Sequence, residues 1–586
     1  MQLEELGLVG NCQFAALIHA GGEVVWCCLP RFDSEPVFGQ LLDPDGGRFG
    51  VSAADGTAGR QAYIDNTNVL ETTIEAPGGT VRVIDFAPRY EHNGRIYRPT
   101  QLIRIIEPVN RSPQVRVNCE PVMGWSKDRP VVSTGSHHLQ FGGYNADLRL
   151  TTDLPLTYLD GRAFALDRRH YLVLSWAAPV EGELDSYCED ALRETLRHWQ
   201  RWVKHCEIPP RYQREVIRSA LTLKLHCFED TGAIVAAVTT SLPEAPGAGR
   251  NWDYRYCWIR DAYYVVDAFR LLGHFEEREA FVSFVLNAVI THPDLDLGPV
   301  YDVSGNGHLP ERIEKGWAGF NGDGPVRVGN GAADQVQHDV FGELVLTLAP
   351  VFHDERFRAE RTSATLELIL KLADRAIEVA GTPDQGIWEV RSAPTPQTFS
   401  NLMCWAAADR AAAIATSIPA KANAFRAAAE SIRNTIVQRG WNEARNSYVG
   451  AYDSDNLDAS LLQMAPLRLF PSDDPRLRQT VDSIWRGLTH NGWLMRYQQD
   501  DGLGATSVAF VLCTFWLIEA LELVGRREDA RVVMDRTCSI LSPLGLIAED
   551  YDMASKRMSG NFPQAYSHVG LIRAAFAASP RWRDVL

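Results

Sequence analysis

Four stretches of this chain gather tryptophan, tyrosine, arginine and carboxylates at spacings that could do chemistry on a small, hydroxyl-rich molecule. The first is residues 251–261, NWDYRYCWIRD. Aromatic rings such as Trp252 and Tyr254 can stack on the apolar face of a sugar ring, and the adjacent Arg260 and Asp261 can hold two neighbouring hydroxyls by charge-assisted hydrogen bonds. The same composition also suits an aromatic loop wedged in a core with a structural ion pair. In residues 384–391, DQGIWEVR, Glu389 lies between Trp388 and Val390. A carboxyl among apolar neighbours has its charged form disfavoured, which suits a proton donor to a leaving oxygen at neutral pH. The competing reading is an ordinary loop glutamate paired with Arg391.

Residues 546–552, LIAEDYD, crowd Glu549, Asp550 and Asp552, and are followed by GNFPQAYSH at 560–568. One of these carboxylates could activate a water; a solvated acidic loop is the alternative. The segment 298–337 is long for a connection in a compact domain, which points to function or disorder. Its Trp317, Phe320 and Arg327 argue for order.

Other chemistries find no support. There is no H-E-x-x-H and no paired C-x-x-C, so no metal site is expected. Neither a G-x-S-x-G elbow nor a P-loop is present, and the glycines at 329 and 331 follow no strand and lack a third partner, so no cofactor is expected. Residues 453–458, DSDNLD, miss the glycine and glutamate of a calcium loop, and Asp458 reads as a helix cap. His137 and His138 read as a surface pair.

The elements that must position these loops fall into two halves. To about residue 180 the runs are short and β-like, as in 23–26, 81–85 and 171–175, with turn signals at Gly21-Gly22, 77–79 and Asp160-Gly161. This predicts an antiparallel β-sandwich over 1–182. Near Asp185 the period changes: Leu192, Leu196, Trp199, Trp202 and Val203 share one helical face. A linker helix is therefore expected over 183–208, ended by Pro209-Pro210. Beyond it, over 209–586, about twelve helices are expected, beginning near Arg211, Asp261, Glu276, Ala333, Phe357, Ser400, Ala420, Asp455, Asp474, Ala505, Arg527 and Pro563. Short turns alternate with the long aromatic loops. That alternation fits a closed (α/α)6 barrel with its site at one end better than an open solenoid.

With 58 Lys+Arg against 74 Asp+Glu, the net charge of −16 disfavours a phosphate backbone as partner. No nucleic acid is expected, and no run approaches the roughly 18–20 apolar residues of a membrane helix. The start of the chain lacks a secretory pattern, and 11 scattered cysteines suit reduced thiols, so a cytoplasmic location is expected. Sheet edges in the β-domain could pair copies into a homo-oligomer.

The β-domain, linker helix and helical barrel, together with 251–261, 386–391 (GIWEVR) and 560–568, resemble glycoside hydrolase family 15, which contains glucoamylases, glucodextranases and bacterial trehalases. The opening residues 7–34 resemble the N-terminal domain of its trehalase-like members. The resemblance implies an inverting, exo-acting hydrolase of a small α-glucoside, trehalose first and isomaltose or malto-oligosaccharides second. It implies Glu389 as general acid, Glu549 as general base, Arg260 and Asp261 gripping the first glucose, and Tyr254 near the reacting carbon. Trp252, Trp388 and Arg327 become pocket walls. Two departures, Asn401 where relatives often carry lysine and Asp550 where glutamate is usual, are expected to act on the aglycone side. An inverting phosphorylase and a non-catalytic sugar-binding protein are the other readings; the first needs no general base.

Overall fold

The computed structural model describes residues 1–290, 294–498, 502 and 507–586. Its first part is built from antiparallel strands in two large sheets, with Tyr90–His92 and Arg95–Tyr97 pairing as a separate hairpin. One runs Leu6–Gly10, Ala15–His19, Glu23–Cys28, Arg48–Ala53, Gln114–Glu120 and Asp160–Ala165, with Pro36–Phe38 beside the third strand. The other runs Val131–Thr134, His138–Gly142, Leu148–Thr152, His170–Trp176, Gln101–Arg111, Gly79–Phe86, Leu70–Ala76 and Arg60–Tyr63.

The strand Gln101–Arg111 shows why both faces are covered. Side chains alternate along a strand. Leu102 and Ile106 join the core shared with Phe49 and Val117 of the smaller sheet. Ile103 and Ile105 turn the other way and pack on Cys188, Ala191 and Leu192 of α1 (Leu184–Lys204). Between the sheets lies Arg104, fully buried, paired with Asp85 at 2.7 Å. It donates to the carbonyls of Phe49 (2.6 Å) and Gly22 (2.7 Å) on the opposing sheet.

Among the described residues twelve α-helical segments follow: α2 (Gln213–Lys224), α3 (Ile259–Leu271), α4 (Glu276–Ile290), α5 (Asp339–Leu348), α6 (Ser363–Val379), α7 (Thr398–Ile414), α8 (Pro419–Arg439), α9 (Met464–Leu467), α10 (Pro475–Leu488), α11 (Val511–Leu523), α12 (Arg527–Cys538) and α13 (Ala565–Ala577). The odd-numbered ones from α3 onward form an inner ring. Each packs on the next, α9 together with the 3₁₀ turn Ala459–Gln463 that leads into it, and α13 packs back on α3. That closing contact rules out the open solenoid. Burial agrees: Val511–Leu521 of α11 are buried on every side, whereas α10 and α12 bury one stripe each.

Several helices start later than sequence periodicity suggests. Gly331–Asp334 and Glu355–Phe357 form separate 3₁₀ turns before α5 and α6, and the side chain of Thr362 accepts from the Thr365 amide to start α6. The helix expected near Asp455 is short, ended by Arg468 at φ +63°. The start expected near Ala505 lies outside the described residues.

Several contacts seat the β-domain on the barrel, among them an ion pair of Arg89 with Glu229 at 2.6 Å. Trp26 Nε1 donates to the Val238 carbonyl at 2.8 Å, and Trp317 Nε1 to that of Trp125 at 2.8 Å. Arg255, fully buried, pairs with Asp253 at 2.7 Å and donates to the Ser34 carbonyl at 2.6 Å. The long segment 298–337 is thus held between the two halves. Among the described residues no helix is long and apolar enough to cross a membrane.

Candidate active site

The loops entering the N-termini of the inner helices surround a cavity enclosing about 820 Å³ of space, open solvent included. Its wall includes Trp252, Tyr254, Arg260, Asp261, Trp388, Glu389 and Glu549. Residues from three loops that are far apart in sequence therefore converge on one space.

Glu549 precedes the short strand Asp550–Asp552, which pairs with Ala509–Phe510 and carries the loop back toward α13. The Glu549 side chain is buried. Its Oε1 accepts the Tyr254 hydroxyl at 2.7 Å and its Oε2 the Asn561 amide at 3.3 Å. Burial first, and the negative charge of Glu244 second, push its pKa up to about 8, against the pull of Arg496. Asp550 beside it is fully buried, with neither carboxylate oxygen hydrogen-bonded, and burial raises it as well. Of the acidic trio, Asp552 does not reach the cavity; it accepts from Ser555 and Ala554 in its own turn.

Glu389 sits at φ +57°, a left-handed conformation unusual for a residue with a side chain. Such strain persists where surrounding structure enforces it. Here Gln335 Nε2 donates to the Glu389 carbonyl at 3.2 Å. The side chain does not lie among Trp388 and Val390 as their adjacency in sequence suggests. The reversed backbone turns it to a polar cradle: Oε1 accepts Trp258 Nε1 at 2.7 Å, Arg260 at 3.3 Å and Gln337 at 3.4 Å. Nor does it pair with Arg391, whose ion pair runs to Glu311 at 3.4 Å.

Arg260 and Asp261, at the first turn of α3, form an ion pair at 3.4 Å on the cavity wall. Burial raises Asp261 to about 6. Trp388 is fixed by Asp458, which accepts its Nε1 at 2.9 Å while also capping the turn at Ser460. Trp252 donates to Glu244 at 2.9 Å, and its ring lies between the guanidiniums of Arg327 (4.5 Å) and Arg391 (4.3 Å). Arg327 is not itself on the cavity wall. It sits behind Trp252 and donates to the carbonyls of Gly249 and Asn251. Asn401 is also away from the cavity: it accepts the Gly381 amide and donates to the Gln397 carbonyl, each at 2.7 Å. Its expected influence on the aglycone side therefore has no contact to act through.

The wall holds groups that sequence reading did not single out. Glu244, buried, accepts from Arg496 at 2.6 Å, with Arg250 at 3.8 Å. Trp258, Gln335, Phe510, Gln564 and Tyr566 also line it. Trp258 lay in the same diagnostic stretch as Arg260; Glu244 and Arg496 had no local signal, because their pairing spans 252 residues.

A closed ring of helix pairs with a carboxylate-bearing aromatic cavity at the inner-helix N-termini defines a sugar-cleaving (α/α)6 barrel. The model of the glycosyl hydrolases family 15 matches residues 210–541, and the trehalase-like N-terminal model matches residues 1–143. The chain is 32% identical to a trehalase of Thermoplasma volcanium over 97% of its own length and 92% of that protein. It is 34% identical to a trehalase of Mycolicibacterium smegmatis over 98% and 90%. Its fold matches a bacterial glucoamylase solved with acarbose, with TM-score 0.68 at 14% identity over 98% of this chain and 94% of that one. The chain belongs to glycoside hydrolase family 15 and is a glycoside hydrolase.

Proposed function

We propose that this enzyme hydrolyses trehalose with inversion, releasing one β-glucose and one glucose of retained configuration. The carrying observation is that Glu389 and Glu549, 160 residues apart, line one cavity and sit in different environments. Glu389 offers Oε2, which carries no hydrogen bond among the described residues, to the glycosidic oxygen as general acid. Glu549, held by Tyr254 and the Asn561 amide, takes a proton from the attacking water. Inversion needs the two carboxyls roughly 6.5–9.5 Å apart so that the water fits between base and sugar. Arg260 and Asp261 grip the hydroxyls of the first glucose, and Trp252 and Trp388 form its walls.

The naming of the relatives above as trehalases, each matched over nearly its whole length, supports trehalose over longer α-glucosides. All 11 cysteines are free in the structure, which supports a reducing, cytoplasmic setting. Glucose release by purified protein from trehalose, maltose, isomaltose and panose, with and without phosphate, tests the reading. Turnover of trehalose in plain buffer supports it. Activity confined to maltose or isomaltose transfers the assignment to a glucoamylase-type enzyme, and formation of glucose 1-phosphate in place of one of the two glucoses points to a phosphorylase.

A further inference from the structure

At the end of the barrel opposite the catalytic cavity, the C-termini of α3, α5 and α7 and the end of α9 enclose a second cavity, of about 1290 Å³ and open to solvent. Arg260 and Arg270 stand at opposite ends of α3, so the two cavities are separated by about 15 Å of helix at 1.5 Å per residue. This floor cavity is lined by five arginines (270, 278, 410, 468 and 573) against two aspartates (267 and 409). In a chain of net charge −16, that is a local reversal of sign. We infer that the barrel floor binds a small multivalent oxyanion, gripped by Arg278, Arg410 and Arg468.

The internal ion pairs do not exhaust the positive charge. Asp267 is taken by Arg270 at 2.9 Å and by Arg573, which also pairs with Glu519 at 2.8 Å, and Asp409 is taken by Arg410 at 2.6 Å, which leaves Arg278 and Arg468 as the uncompensated pair among the described residues. Arg278 is 3% exposed, has no carboxylate within ion-pair distance among the described residues, and its Nε is buried without a hydrogen-bond partner. Burial holds its guanidinium below the usual arginine value, at about 10. Arg468, exposed at the left-handed end of α9, likewise has no ion pair among the described residues.

Arginines at helix C-termini can serve the partial negative charge there. Two contacts do that: Arg278 donates to the Thr347 carbonyl at 2.6 Å and Arg410 to that of Leu467 at 2.8 Å. The first occupies one nitrogen of Arg278 and leaves its other terminal nitrogen available; Arg410 has one terminal nitrogen on Leu467 and the other on Asp409, so it contributes only the remaining N–H groups of that pair. Guanidinium forks match phosphoryl and carboxylate oxygens bidentately, so the ligand is an oxyanion with several acceptor oxygens rather than a simple halide.

Calorimetry with inorganic pyrophosphate and with citrate, against sodium chloride of equal ionic strength, tests this on the full chain. Saturable binding is expected, retained with glucose in the catalytic cavity and weakened at least tenfold in both Arg278→Met and Arg468→Gln, with unchanged trehalose turnover in the absence of the anion. Arg468 is exposed, so its variant remains informative if the buried substitution disturbs folding. Pyrophosphate binding alone assigns a phosphoryl ligand, and binding of both anions assigns the wider class. No binding at millimolar anion, equal affinity in both variants, or displacement by glucose would overturn the proposal.

Discussion

The Tyr254 hydroxyl donates to Glu549 at 2.7 Å, bridging two loops 295 residues apart in sequence. A hydrogen bond to the charged carboxylate favours ionisation, and a base must be ionised to act. Tyr254→Phe should therefore raise the pKa of Glu549 further and lower kcat. A charge-assisted bond is worth about 1.5–3 kcal/mol, or roughly ten- to a hundredfold. Steady-state kinetics across pH check this: kcat should fall with KM nearly unchanged, and the acidic limb should move to higher pH.

Glu549 sets that limb. Its pKa is raised to about 8 by burial and then by Glu244, so the ionised form is lost as pH falls through that value. The acidic limb of kcat/KM should lie well above the ordinary carboxylate range. Glu244→Gln removes the neighbouring negative charge and frees Arg496 to act on Glu549, so the limb should shift to lower pH. A limb that stays in place would separate Glu244 from the base.

Asp339, fully buried at the start of α5 with neither oxygen hydrogen-bonded, is raised to about 7, chiefly by burial. A carboxyl whose folded pKa lies above its unfolded value stabilises at low pH. That contribution is lost as pH rises from about 4 toward 7. Asp339→Asn should thus stabilise the fold at pH 8, by about 1–3 kcal/mol for relief of an unpaired buried group, and gain little at pH 4. Thermal unfolding at the two pH values measures the difference.

Arg104 pins the two sheets through Asp85 and the carbonyls of Phe49 and Gly22. Arg104→Met strands the Asp85 carboxylate between the sheets and should cost about 3–5 kcal/mol. Adding Asp85→Leu should recover most of it, because the stranded charge is then gone. Denaturant titration of the β-domain signal reads both.

What could be read in advance follows from how local each signal was. The short β-like runs at 23–26, 81–85 and 171–175 and the helical stripe of α1 are written in consecutive residues, and the structure has strands and a helix there. The stretch 251–261 carried Arg260, Asp261 and Tyr254 as one block, and the structure puts all three on the cavity wall. The surroundings of Glu389 were hidden. Its neighbours in sequence are apolar, but its left-handed backbone points it at Trp258, Arg260 and Gln337 from other loops. Arg327, a wall residue only by the family resemblance, instead props Trp252 from behind. Glu244 and Arg496 become visible only when the barrel closes.

The most direct test follows trehalose hydrolysis in real time by proton NMR, in the wild type and in Glu549→Gln. The account predicts that the wild type releases one equivalent of β-glucose before mutarotation, and that the variant binds trehalose without turning it over. Initial release of α-glucose alone, or hydrolysis that persists in Glu549→Gln, would contradict the assignment of Glu389 and Glu549 as the inverting pair.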